Sequence, residues 1–124
     1  MDLKSAIGKK AGPYRDEVTE EKIATFRGAI GASMGKEAPP TYLTRCRHGE
    51  FDLFTELGIS LSSVLHAEQE YRYEHPIVAG DVLEFETELS QAFEKKGSAG
   101  TLTFLIFETH VRGKGVTKST IVIK

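Results

Sequence analysis

The sequence predicts an α+β domain, and three observations lead there. Apolar residues recur at helical spacing in two early segments, the period drops to two from Val64 onward, and glycine-bearing turns separate the alternating runs. At 124 residues the chain suits one domain spanning residues 1–124, long enough to bury roughly two-thirds of its unfolded surface.

Residues 1–12 are polar and glycine-containing, with Lys4, Lys9 and Lys10, and read as a loosely held arm. Pro13 follows and opens a short extended piece, "PYRDEV". Thr19 is placed to cap a helix whose first turn carries Glu20 and Glu21, acids that complement the helix dipole. Ile23, Phe26 and Ile30 continue at helical spacing, while Gly28 and Gly31 weaken the far end, so this helix is short. A second helix is expected to open at Pro39-Pro40, since proline at the first helical position loses only an N–H that had no partner. Tyr42, Leu43, Cys46, Leu53, Phe54 and Leu57 give it a broad apolar side, and Gly58 suits its stop. "RCRHGEFD" interrupts that side with charge and sets Gly49 mid-helix, at about 1 kcal/mol relative to alanine.

The strands follow. "VLHAEQEYRYEHPI" sets Leu65, Ala67, Gln69, Tyr71 and Tyr73 on one face, with His66, Glu68, Glu70 and Arg72 on the other. "GDVLEFETELSQAFEKKG" alternates Leu83, Phe85, Thr87 and Leu89 against Glu84, Glu86 and Glu88, and "GVTKSTIVIK" closes the chain. Between them "GTLTFLIFETHVRG" is apolar on both faces at its centre. One face can cover the second helix; the other needs cover that a partner subunit could supply, so a dimer or larger assembly is expected.

Composition narrows the function classes. With 40% hydrophobic and 27% charged residues and a net charge of -2, nothing calls for a nucleic-acid partner. A single cysteine, Cys46, forms no internal disulfide. No run of about 18 apolar residues is present and the N-terminus lacks a signal-peptide core; the expectation is a cytoplasmic protein with no membrane contact. There is no internal repeat. The four histidines and Cys46 show no metal-ligand spacing, so neither metal nor cofactor is expected.

"APPTY", "LHAEQEYRYEHPIVAGDVLEFETELSQAFEKKGSAGTLTFLIFET" and the terminal "STIVIK" resemble the MaoC-like hot-dog family, above all its N-terminal-type, or FAS1-like, dehydratase domain. The likeness runs from about Tyr14 to the C-terminus. It implies an antiparallel sheet of about five strands wrapped around one long helix, here the one starting near Thr41, with paired domains forming a continuous sheet. It also implies binding of acyl thioesters of coenzyme A or acyl carrier protein, and enoyl hydration or 3-hydroxyacyl dehydration by an Asp and a His ahead of the helix, whose N–H groups polarise the thioester oxygen. Where that Asp–His motif would lie the chain has "GASMGKE", so neither residue carries over. The resemblance therefore implies the subunit of a heteromeric enoyl-CoA hydratase or 3-hydroxyacyl dehydratase that lacks the dyad. It would bind through Thr41 and Tyr42 at the helix start and an acyl tunnel lined by residues such as Leu43 and Phe85, beside a dyad-bearing partner. Two alternatives stand: an active homodimeric hydratase or thioesterase with substitute residues, and a non-enzymatic acyl-binding or scaffold subunit.

His48, Glu50 and Asp52 form the only dense cluster of acid–base types, and another hot-dog branch pairs a helix carboxylate with a distant histidine. Glu50 or Asp52 with His66 is thus a conceivable substitute dyad, set against a solvated or interface-facing charged turn; helical spacing puts Glu50 and Asp52 on different sides. His66 reads equally as a ligand contact or as a partly buried histidine bonded to backbone. His75 reads as a turn residue, His110 as outward-facing, and Cys46 as small apolar core. Residues 97–100, "GSAG", with Lys95 and Lys96 could meet a phosphate, but a hairpin turn with solvated lysines is the expectation.

Overall fold

The computed structural model describes residues 3–30, 38–39, 41–98 and 100–123. Strand β1 (Lys10–Glu17) leads to helix α1 (Glu20–Ile30), a 3-10 turn (Tyr42–Arg45), helix α2 (His48–Glu56), a second turn (Leu61–Ser63) and strands β2 (Val64–Tyr73), β3 (Val82–Gly97), β4 (Gly100–Val111) and β5 (Gly115–Ile123). The strands form one antiparallel sheet in the order β1-β3-β4-β5-β2, with α2 against its inner face. The α+β architecture expected from the sequence is present, including the fifth strand before the helices.

Alternation fixes which face is buried. On β3, Leu83, Phe85, Thr87 and Leu89 point inward and the intervening glutamates outward, as read from the sequence. Leu53, Phe54 and Leu57 of α2 pack on Leu89, Leu105, Phe107 and Ile121 in one cluster; Tyr42, Leu43, Cys46, Leu83, Phe85 and Val111 form a second. Thr19 caps α1 as expected, its hydroxyl accepting from Lys22 N–H at 3.1 Å.

Three expectations are corrected. The single long helix from Thr41 is two pieces: a 3-10 turn ends at Arg45, Cys46 and Arg47 are non-helical, and α2 starts only at His48. Gly49 therefore sits in the first turn of α2, and it is there for close approach: a Cβ would lie 2.5 Å from Thr87 Oγ1. The arm is docked. Leu3–Ala6 forms a 3-10 turn, Ala6 is buried in the first cluster, and Gly8 N–H donates to the Leu89 carbonyl at 2.8 Å.

On the outer face of β3 and β4, Phe93 and Phe104 stack with ring centres 5.2 Å apart, and Ile106 and Val122 lie beside them. Lys95 Nζ lies 5.3 Å from the Phe104 ring centre, so this lysine covers aromatic carbon.

Candidate functional site

Glu50, in the first turn of α2, is the buried carboxylate of the described residues, 2% exposed. Arg47 one turn back grips it with two N–H groups, at 2.8 and 3.2 Å, and Ser119 of β5 lies 3.1 Å from Glu50 Oε2. Ser119 Oγ also lies 2.6 Å from Gln69 Oε1 on β2; the Gln69 amide reaches Thr117, and its oxygen is 3.0 Å from His66 Nε2. A polar chain thus runs from the helix start, across β5, to the open edge of the sheet.

The expected facing of His66 is wrong for a definite reason. His66 pairs with Ile121 and Glu68 with Thr120, leaving Ala67 as the extra residue of a bulge. The bulge turns His66 onto the same face as Gln69. Glu50 and His66 are thereby brought into one network, though not into direct contact.

Asp52 goes elsewhere, as helical spacing implied. It accepts a hydrogen bond from the Tyr14 hydroxyl of β1, and Tyr14 stacks between His48, at 5.8 Å, and Phe85, at 5.4 Å. Burial, then the bond to Asp52, push the Tyr14 hydroxyl up to about 12, so it stays a donor at neutral pH. Tyr42, Leu43 and Phe85 are buried in the second cluster, and Thr41 is exposed ahead of the 3-10 turn. The Tyr42 hydroxyl has no hydrogen-bond partner among the described residues, while Arg45 Nε and Asp16 Oδ2 beside it face each other at 3.6 Å. His75 lies exposed between β2 and β3, and His110 is exposed on the outer face of β4. The segment 31–37, where the Asp–His motif was sought, lies outside the described residues.

Ser119, Gln69, Thr117 and Tyr14 were not singled out from sequence. Arg47 could have been, because an Arg three residues before Glu50 is a helical pairing distance; the others meet their partners across 38 to 69 residues or through the bulge.

The family described as "FAS1-like, dehydratase domain region" matches residues 5–118. The chain belongs to this family. By sequence it carries the FAS1-like dehydratase region, and in fold its five-stranded sheet around α2 is similar to a solved MaoC-like dehydratase, with a TM-score of 0.66 at 20% identity. HadBC, the 3R-hydroxyacyl-ACP dehydratase complex of Mycobacterium tuberculosis, is similar in fold with a TM-score of 0.69 at 16% identity, over 95% of this chain and 96% of that one. The ChsH1-ChsH2 complex of the same organism follows at TM-score 0.65 and 18% identity, over 98% and 86%. HtdX, also from M. tuberculosis, reaches TM-score 0.62 at 15% identity; this FAS1-like domain spans 94% of itself but 51% of that chain. No curated protein sequence matches it.

Within the FAS1-like domain the site divides by chemistry. The α2 start holds the Arg47–Glu50 pair with its carboxylate buried, and the β2 edge carries an exposed imidazole. Among the described residues no histidine hydrogen-bonds a carboxylate.

Proposed function

We propose that this protein binds acyl thioesters as the dyad-lacking subunit of a heteromeric enoyl-CoA hydratase or 3-hydroxyacyl dehydratase. One observation carries the reading: Glu50, the carboxylate best placed for a substitute dyad, is held by Arg47 and Ser119 rather than by a histidine. Its negative charge is spent on the guanidinium. The sequence of residues 31–37 contains neither Asp nor His, and losing a positioned acid–base group removes about two to four orders of magnitude in rate. The lone chain is then a slow catalyst, and its contribution is to hold the acyl thioester.

Two further points support a partner. HadBC and ChsH1-ChsH2 are both named as complexes. On the outer face the stacked Phe93 and Phe104 stay partly exposed beside Ile106 and Val122, an apolar group that a partner could extend over.

The test is crotonyl-coenzyme A hydration, followed by loss of enoyl absorbance, with this chain, a dyad-bearing hot-dog subunit, and both together. The mixture is expected to exceed the sum of its parts by at least tenfold. Strictly additive rates, or rapid hydration by the pure chain, would remove the proposal.

A further inference from the structure

The side chains expected to line an acyl tunnel are shut inside the protein. Tyr42, Leu43 and Phe85 are 0, 0 and 2% exposed, packed together in the second cluster. A ligand meets them only if something moves, and the core is built so that one piece can.

Glu50, Thr87, Thr109, Thr117 and Ser119, the buried serine, threonine and acidic side chains of the described residues, lie in one layer across the core. Thr87 pairs with Thr109 and Thr109 with Thr117, and Ser119 is the next inward position along β5. On β3 the layer separates Phe85 from Leu89, and on β4 it separates Val111 from Phe107. Phe85 and Val111 belong to the second cluster, Leu89 and Phe107 to the first. The layer stays with α2, since Gly49 sits on Thr87, Glu50 reaches Ser119 at 3.1 Å and Thr87 bonds Thr109 at 2.7 Å. The helical path breaks at the same level, at Cys46 and Arg47. A core that parts along this layer bares hydroxyls that water satisfies, whereas parting through either cluster bares hydrocarbon on both sides.

On the far side of the layer, the 3-10 turn Tyr42–Arg45 carries buried polar atoms that opening would relieve. The Tyr42 hydroxyl, Arg45 Nε and Asp16 Oδ2 have no hydrogen bond among the described residues, and each gains water when the turn lifts. Two tyrosines of β2 hold the turn down: Tyr71 bonds the Thr44 hydroxyl, and Tyr73 bonds the Leu43 backbone. We propose that Tyr42–Arg45 is a lid that swings about Cys46–Arg47 while α2 stays docked, clasped by Tyr71 and Tyr73, and that an acyl chain reaches Phe85 only when it is open. The ligand step rests on the acyl-thioester reading above and deepens it.

Cys46, buried at the hinge, reports the opening through its labelling by an aromatic disulfide. In the full chain the rate is expected to change little at low urea, because the lid bares little surface, and to climb steeply once global unfolding takes over. Ile121→Val trims the first cluster and separates the two routes. It should lower the urea midpoint yet leave labelling in water unchanged, since that cluster stays packed in the open form. Labelling that instead speeds with the loss of stability, roughly two- to tenfold, makes the opening global and overturns the lid. Tyr71→Phe releases one clasp and should speed labelling about two- to tenfold, the worth of one hydrogen bond; an unchanged rate overturns the clasp. Butyryl-coenzyme A should bind Tyr71→Phe more tightly by that same factor, because apparent affinity scales with the open fraction, while free coenzyme A, which has no acyl chain, binds both alike. Faster labelling with unchanged butyryl-coenzyme A affinity, or equal tightening of free coenzyme A, overturns the gating. Local opening with no butyryl-coenzyme A binding by either protein removes the acyl-thioester reading and leaves the lid standing.

Discussion

Cys46 shows how burial settles a residue that sequence leaves open. Its thiol is wholly buried in the second core cluster, and burial, reinforced by the Asp16 charge and opposed by Arg45, pushes it up to about 12. At neutral pH almost no thiolate forms, and the thiolate is the reactive species. Cys46 is therefore expected to react with an aromatic disulfide reagent only as fast as the protein opens, with a rate that climbs with denaturant. Stoichiometric labelling of native protein within seconds would contradict this. Glu50 is the opposite case: its residue type suggested chemistry, but whether it was solvated depended on β5, which lies 69 residues further along the chain.

Among the elements, α2 is where local preference and packing disagree most. Helix propensity alone makes Gly49→Ala stabilising by about 1 kcal/mol. Packing opposes it, because the new Cβ would sit 2.5 Å from Thr87 Oγ1 and 2.6 Å from Thr87 Cβ, and Thr87 is itself buried and bonded to Thr109 at 2.7 Å. Overpacking of this kind costs typically 1–3 kcal/mol, so the net effect is expected to be a loss of stability, visible as a lower urea midpoint with an unchanged slope. A raised midpoint would mean that α2 can lift from the sheet without cost. The same close approach explains why the helix begins at His48 rather than at the prolines: the chain must first drop Tyr42, Leu43 and Cys46 into the core before α2 can lie flat on β3.

At the scale of the whole molecule, the turns at one end of the sheet are tied together. Lys114, in the turn between β4 and β5, lies 2.7 Å from the Asp81 carboxylate before β3 and donates to the Pro76 carbonyl at 2.8 Å. Burial alone would raise the Asp81 pKa, but the Lys114 bond and the Val78 N–H outweigh it and hold the carboxyl below its ordinary value. A carboxylate depressed in the folded state contributes stability that is complete above its unfolded value of about 3.9 and is lost as pH falls through the folded value. Asp81→Asn is thus expected to be less stable than wild type at pH 6, with the gap closing as pH drops below about 4, measured by urea melts across that range. A gap independent of pH would show that the charge of Asp81 contributes nothing.

Much of this was legible beforehand. The alternation of β3, the cap at Thr19 and the turns follow from spacings of a few residues, where side-chain period and backbone preference act directly, while the family was pointed to by a resemblance of motifs spread along the chain. The division of the central helix, the docked arm and the bulge at Ala67 did not. Each depends on a surface supplied from far along the chain: Thr87 under Gly49, Leu89 beside Gly8, and β5 alongside β2.

By itself, then, the sequence determined the faces of β3 and the fold class, because periodic burial against one core leaves few ways to fold, and the order of its motifs along the chain pointed to the family. Only the tertiary structure decided that Glu50 is buried against Ser119 and that His66 faces inward with Gln69. A hydrogen bond across tens of residues, and a one-residue slip in pairing, exist only once the strands lie side by side.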